Sequence, residues 1–301
     1  LRFFLFIFFL TTSFLQAQDY VDLFKFSFGQ TFNNEFEGTP NSTQVTSVDI
    51  DFTAPVPISE KHTFITGAIY NQNYLQLFPE ADFTRLHSTA LKVGIASTFS
   101  EKWSSTFVLL PKIASDYGNI TSDDFYLGGF GVVKYQKKEN LMYRFGAYGS
   151  QEAFGFFTTP IFGWYYLSPS KKFEMDMSLP ISADMNYRFT NFILGIDYFG
   201  IGRSFNLTKR DTPDVYVDVS SLEFASYVQF NTLNNSILLR GKFGYSSNNF
   251  EVYNQGETID LGLSAFAFGD DRTLLNPVIG GGFFFRLETI YRFQLTKHKE
   301  E

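Results

Sequence analysis

The clearest pattern in the chain is residues 89–110, TALKVGIASTFSEKWSSTFVLL. Leu91, Val93, Ile95 and Phe99 alternate with Ala90, Lys92, Gly94 and Ala96. After the turn Ser100-Glu101-Lys102, Trp103, Phe107 and Leu109 oppose Ser104 and Thr106. Successive side chains of a strand point to opposite faces, so a period of two predicts a hairpin. Its apolar face carries an aromatic on each side of the turn, and its other face is small or polar. A soluble sandwich would turn the apolar face inward. A membrane barrel turns it to lipid and keeps the polar face inside.

The same alternation recurs along the chain. It predicts strands over 20–32, 44–57, 63–77, 89–99, 103–110, 125–136, 141–150, 160–167, 172–187, 191–206, 215–230, 236–253, 258–268 and 280–295. That makes fourteen, and a different division of 172–206 or of the last segment gives twelve or sixteen. Short charged turns at 59–62, 100–102 and 137–140 alternate with longer polar loops at 33–42, 111–124 and 151–159. Outer-membrane barrels sort their connections this way, with short turns on the periplasmic side. The predicted fold is all-β, an antiparallel up-and-down transmembrane β-barrel in a single domain, residues 18–301.

Composition sharpens this reading. Aromatic residues make up 19% of the 301, with 39 Phe, while charged residues at 18% fall below the usual share of about 25%. After the N-terminus no apolar run approaches the roughly 20 residues of a spanning helix. The net charge of -7 argues against nucleic acid as a partner. With no cysteine, disulfides and thiolate metal sites are excluded. Arg2, the apolar run 3–10 and Ala17 predict a secretory signal peptide over residues 1–17, hence export and a mature chain beginning near Gln18.

Several stretches carry a family resemblance: LQAQ at the end of the leader, SDDFYLGGFGVVKY, MYRFGAYGSQEAFGFFTTPIFGWYYLSPSKKFEMDMSLP and the closing IYRF. Together they resemble an outer-membrane barrel family of Bacteroidota, domain of unknown function 6268. The resemblance spans essentially the whole mature chain. It implies the location and the fold, with outer-membrane lipid and, during insertion, the barrel-assembly machinery as partners. It implies no activity, because that family brings no catalytic or binding residues to carry over.

Candidate chemistry is sparse. Outer-membrane phospholipases and deacylases use a Ser–His pair, and His87-Ser88, at a loop end, is the place to look; if both lie in the strand they face opposite sides, which prevents their contact. His62 falls in a turn and His298 in the polar tail. Asp123-Asp124 and Asp270-Asp271 read as solvated turn acids, without the six to eight ligands that calcium needs. LGGFG at 127–131 and GGG at 280–282 fall inside strand patterns with no helix following, so neither is a phosphate loop. No catalytic residue, metal or cofactor is expected.

Function in a barrel resides in the lumen and loops. The predicted inward face carries Lys25, Lys92, Arg144, Arg240, Lys242, Arg286 and Arg292 against Asp49, Asp51, Glu174, Asp176, Asp197, Glu223 and Glu288. Selective pores show a surplus of one sign. Balanced charges pair with one another, since unpaired charges away from water are costly. Three readings follow: a channel or transporter for a small solute, a non-conducting structural or surface-interaction barrel, and a lipid-acting enzyme. The last lacks a nucleophile–base–orienter set.

Overall fold

The structure, a computed structural model, describes residues 20–208 and 214–294. The leader expected over residues 1–17 and His298 lie outside them. The strands are β1 (Tyr20–Phe32), β2 (Asn34–Glu35), β3 (Ser42–Thr43), β4 (Thr46–Pro57), β5 (His62–Leu75), β6 (Thr84–Thr98), β7 (Trp103–Ser115), β8 (Phe125–Lys138) and β9 (Leu141–Glu152). They continue with β10 (Gly155–Leu167), β11 (Phe173–Leu179), β12 (Ser182–Arg188), β13 (Ile193–Leu207), β14 (Val215–Thr232), β15 (Ile237–Asn254), β16 (Leu261–Leu263), β17 (Phe266–Phe268) and β18 (Gly282–Gln294).

Fourteen of these form a closed wall: β1, β4 to β15 and β18. Each wall strand pairs antiparallel with its neighbours, and β18 closes the ring on β1 from Tyr20↔Gln294 to Phe32↔Phe283. Closure pairs both edges of the strands everywhere except above the short strands β11 and β12, so the backbone groups are satisfied without water over most of the wall, which is what a membrane-spanning sheet requires. The faces sort as the alternation predicts. Leu91, Val93 and Ile95 point outward, with Leu91 54% exposed, and Phe99 and Trp103 flank the turn below them. Lys25, on the opposite face from Phe24 and Phe26, sits across from Asp51. An apolar exterior around a charged interior inverts the soluble pattern and is that of a transmembrane barrel. Replacing Ile95 by Arg is expected to cost about 2–4 kcal/mol near the bilayer midplane, read from unfolding in lipid vesicles.

The strand count agrees with expectation, but two assignments within it change in opposite directions. Residues 172–187 form two strands, β11 and β12, joined at Pro180-Ile181. Residues 258–268 give no wall strand, only the short hairpin β16–β17. The loop predicted over 151–159 is a tight turn at Ala153-Phe154, with β9 and β10 pairing from Gly155↔Glu152 onward. The loop predicted over 111–124 begins later, because β7 runs to Ser115 with Pro111 opposite Leu127. Of the GGG run, only Gly282 lies in a strand.

Both described termini lie at the end with the short turns, the near end; β11 and β12 turn back before reaching the other. Above them β13 leaves the wall. Its Asn206 bridges in parallel to Ser115 of β7, which is not a wall neighbour. The far ends of β13 to β15 therefore lean across the mouth. Phe205, Val217, Val219, Phe250 and Val252 pack there against Leu75, Leu86, Ala114 and Tyr126 from the opposite wall, with Phe36 and Ile279 above. This is the main apolar core among the described residues, and it spans the far mouth of the barrel.

Candidate functional site: the barrel interior

Beneath this core lies a cavity of about 1040 Å³. Lys25, Asp49, Asp51, Arg144, Glu174, Asp176, Asp197, Glu223, Arg240, Lys242, Arg286, Glu288 and Arg292 line it, and Lys92 reaches Asp51 at its wall. The charges form a paired lattice. Glu288 sits at its centre, 3.0 Å from Lys25, 3.1 Å from Lys242 and 3.8 Å from Arg240. Lys242 also contacts Asp197, and Arg240 reaches Asp184 at 3.2 Å. Gln229 Oε1 accepts from two guanidinium nitrogens of Arg240, and the Tyr227 ring lies 3.9 Å beneath the guanidinium.

Around this centre Arg286 makes a two-pronged contact with Glu223 at 2.6 and 2.8 Å, the geometry that makes such pairs strong. Arg144 meets Asp176 at 2.7 Å, and Arg292 meets Asp22 at 2.6 Å. Asp49 has no ion pair among the described residues and accepts from Asn71 and Ser27. At the near end the Tyr20 hydroxyl donates to Glu174 at 2.6 Å, linking β1 to β11 across almost the full width of the ring. The arrangement offers paired charges and hydroxyls to a polar solute, and no surplus of one sign.

Sequence reasoning misses several interior residues. Lys112, paired to Glu152 at 2.5 Å, falls in the stretch assigned to a loop on the strength of Pro111. Asp184 follows an unrecognised turn. Arg203 shares the inward parity of Asp197, a signal that was available. Arg272 lies in the β15–β18 connection and is buried. It contacts Asp218 at 3.0 Å and Asp270 at 2.9 Å, and its guanidinium lies over the Tyr253 ring. Its hydrogen bonds hold the Asp270 carboxyl below the usual carboxylate range, against the opposing effect of burial. The Asp270 arm of the clamp is therefore at full strength above pH about 4 and is lost only as pH falls through that lowered value.

The remaining candidates separate. His87 lies in β6, not at a loop end; its Nδ1 is 2.9 Å from the Tyr70 hydroxyl and its ring stacks on Tyr117. Ser88 faces the cavity instead. His62 contacts Ser97 at the near-end turn. Asp124 is not a solvated turn acid: it is buried in a short 3-10 turn, accepts from the Thr121 backbone and binds Asn206. Asp270 is held by Arg272. Among the described residues no group of three or more His, Asp or Glu is placed to hold a metal.

The wall and interior define the class: a fourteen-stranded transmembrane β-barrel with a charge-paired lumen. Residues 69–195, from β5 into β13, match the family model described as Domain of unknown function (DUF6268). No curated protein matches the chain. Among solved structures, the NanC porin aligns at 8% identity and a TM-score of 0.35, over 89% of this chain and 98% of that one. The TodX monoaromatic hydrocarbon channel aligns at 10% and 0.34, over 92% and 91%. The beta domain of the Bordetella autotransporter Brka aligns at 10% and 0.32, over 91% and 100%. At such scores the likeness is no guide to function.

Proposed function

We propose that this is an exported barrel of the outer membrane that holds a small solute in its interior and has no open axial pore. The observation that carries the reading is the apolar packing of Phe205, Val217 and Phe250 against Leu75 and Leu86 across the far mouth, directly above a paired polar cavity. The sequence supports the setting: a leader over residues 1–17, insertion by the barrel-assembly machinery, lipid around the wall and an origin in Bacteroidota. The reading assigns no catalysis, since His87 and Ser88 face apart. A barrel acting only through its far loops would explain the seal, but it has no use for a cavity at the upper end of ligand-site volumes.

Liposome swelling tests the proposal. Vesicles carrying the refolded protein in small sugars are expected to swell no faster than empty ones. Rapid swelling, with rates graded by sugar size, would show an open axial pore and overturn the reading.

A further inference from the structure

The wall has a notch. β11 and β12 are seven residues each. At about 3.4 Å per residue and a tilt near 40°, they rise roughly 18 Å, short of an apolar band about 25 Å tall. Above their tip at Pro180-Ile181, β10 loses its wall partner and takes only β16, in parallel, at Phe157 and Thr158. β13 likewise has no wall partner on that side beyond Phe199↔Ser182. The hairpin β16–β17 stands in the gap. Among the described strands β17 pairs with β16 alone, and Phe266 on it is 68% exposed.

At this notch the cavity is bordered by exposed residues, Leu222 and Phe266 among them. By register, Phe199 and Arg203 share the inward face of β13 with Glu223 and Val219 of β14. Tyr198, Gly200 and Gly202 belong to the outward face. All five line the same cavity, together with Ile181 and Phe266. Both faces of a strand border one space only where that strand has a free edge, and β13 has one only above the β11–β12 tip. Behind that edge stands Arg203. No ion pair or hydrogen bond of Arg203 is found among the described residues, and its Nε is buried without a partner. Of the acids whose charge acts on it, Glu152 is paired with Lys112 and Glu223 with Arg286, while Asp49 has no ion pair among the described residues and accepts hydrogen bonds from Asn71 and Ser27. A guanidinium Nε buried without a partner is costly unless something fills it.

Resting on the reading of a sealed interior, we propose that the notch is a lateral portal for a single-chain amphiphile with a carboxylate or phosphate head. The head binds Arg203, and the chain lies among Phe157, Phe199, Leu222 and Phe266 toward the bilayer. With the far mouth sealed, the notch gives such a molecule a route from the membrane, and Arg203 selects the anionic head.

The test uses the full-length refolded barrel in neutral phospholipid vesicles, with dodecanoate, dodecyl phosphate, dodecanol and acetate as probes. Saturable binding of one or both anionic amphiphiles is expected, with dodecanol and acetate at least about tenfold weaker. Arg203→Gln should lower that affinity about tenfold or more, while Arg203→Lys keeps most of it. Gly202→Trp, whose Cβ would meet only ordinary contacts at 3.6 Å from the Phe157 ring, should slow uptake from lipid with the fold intact on a gel-shift assay. Equal binding of dodecanol and dodecanoate, or binding unchanged by Arg203→Gln, would overturn the assignment of the head. Uptake unaffected by Gly202→Trp would overturn the portal. Acetate binding as tightly as dodecanoate would point to a soluble anion and sink the amphiphile, and no binding by any probe would sink the inference altogether. None of these outcomes bears on axial closure, which the swelling rate reads separately.

Discussion

Replacing Glu288 with leucine is expected to destabilise the barrel by about 3–5 kcal/mol, the usual cost of removing one partner from a buried ionic cluster. Glu288 is 3% exposed and touches Lys25, Lys242 and Arg240. Without it, Asp197 and Asp184 are left to face Lys242 and Arg240, while Lys25 loses its only ion pair among the described residues. Leucine fills much of the volume, so the loss reports charge and not a cavity. Urea titration in vesicles, scored by the mobility difference of folded and unfolded barrel on cold gels, measures it. A change below about 1 kcal/mol would mean that water already screens these groups and that the lattice is far wetter than the contacts imply.

The second large effect concerns the seal. Phe205 and Phe250 are 0% and 2% exposed and meet the opposite wall through Leu75 and Leu86. Truncating a buried Phe to Ala costs about 3–5 kcal/mol, because the surroundings collapse only in part. The Phe205→Ala, Phe250→Ala variant is therefore expected to be clearly less stable and to gain a conductance in planar bilayers that the wild type lacks. Stability lost with no conductance gained would mean that the near end, where Tyr20 bonds to Glu174, is an independent barrier.

The wall was largely legible because one residue type at one parity has one meaning: apolar at odd positions from Leu91 to Phe99 means lipid. The same rule hides turns that keep parity. From Phe173 to Tyr187 the apolar residues fall at Phe173, Met175, Met177, Leu179, Ile181, Ala183 and Met185, straight through the two-residue turn. Only Pro180 signals the break. The connection at Ala153-Phe154 was legible but read as too long, because Gly155, Thr158 and Thr159 look like loop residues although they belong to β10. The notch descends directly from the hidden turn at Pro180, so it was invisible in the sequence. The seal was equally hidden, since a strand's inward lean depends on contacts between Phe205 and residues more than a hundred positions away. Pairing of the lumen charges was accessible as a balance of signs, but not as partners, because partners depend on register.

The closed far mouth is tested most directly by labelling. The chain has no cysteine, so single cysteines can be placed freely. Glu37 lies exposed in the far loop, and Asn71 lines the cavity below the seal. In intact cells a membrane-impermeant maleimide is expected to label Glu37→Cys rapidly and leave Asn71→Cys untouched, unless Phe205→Ala and Phe250→Ala are added. Labelling of Asn71→Cys at the rate of Glu37→Cys in the otherwise wild-type barrel would contradict the sealed interior.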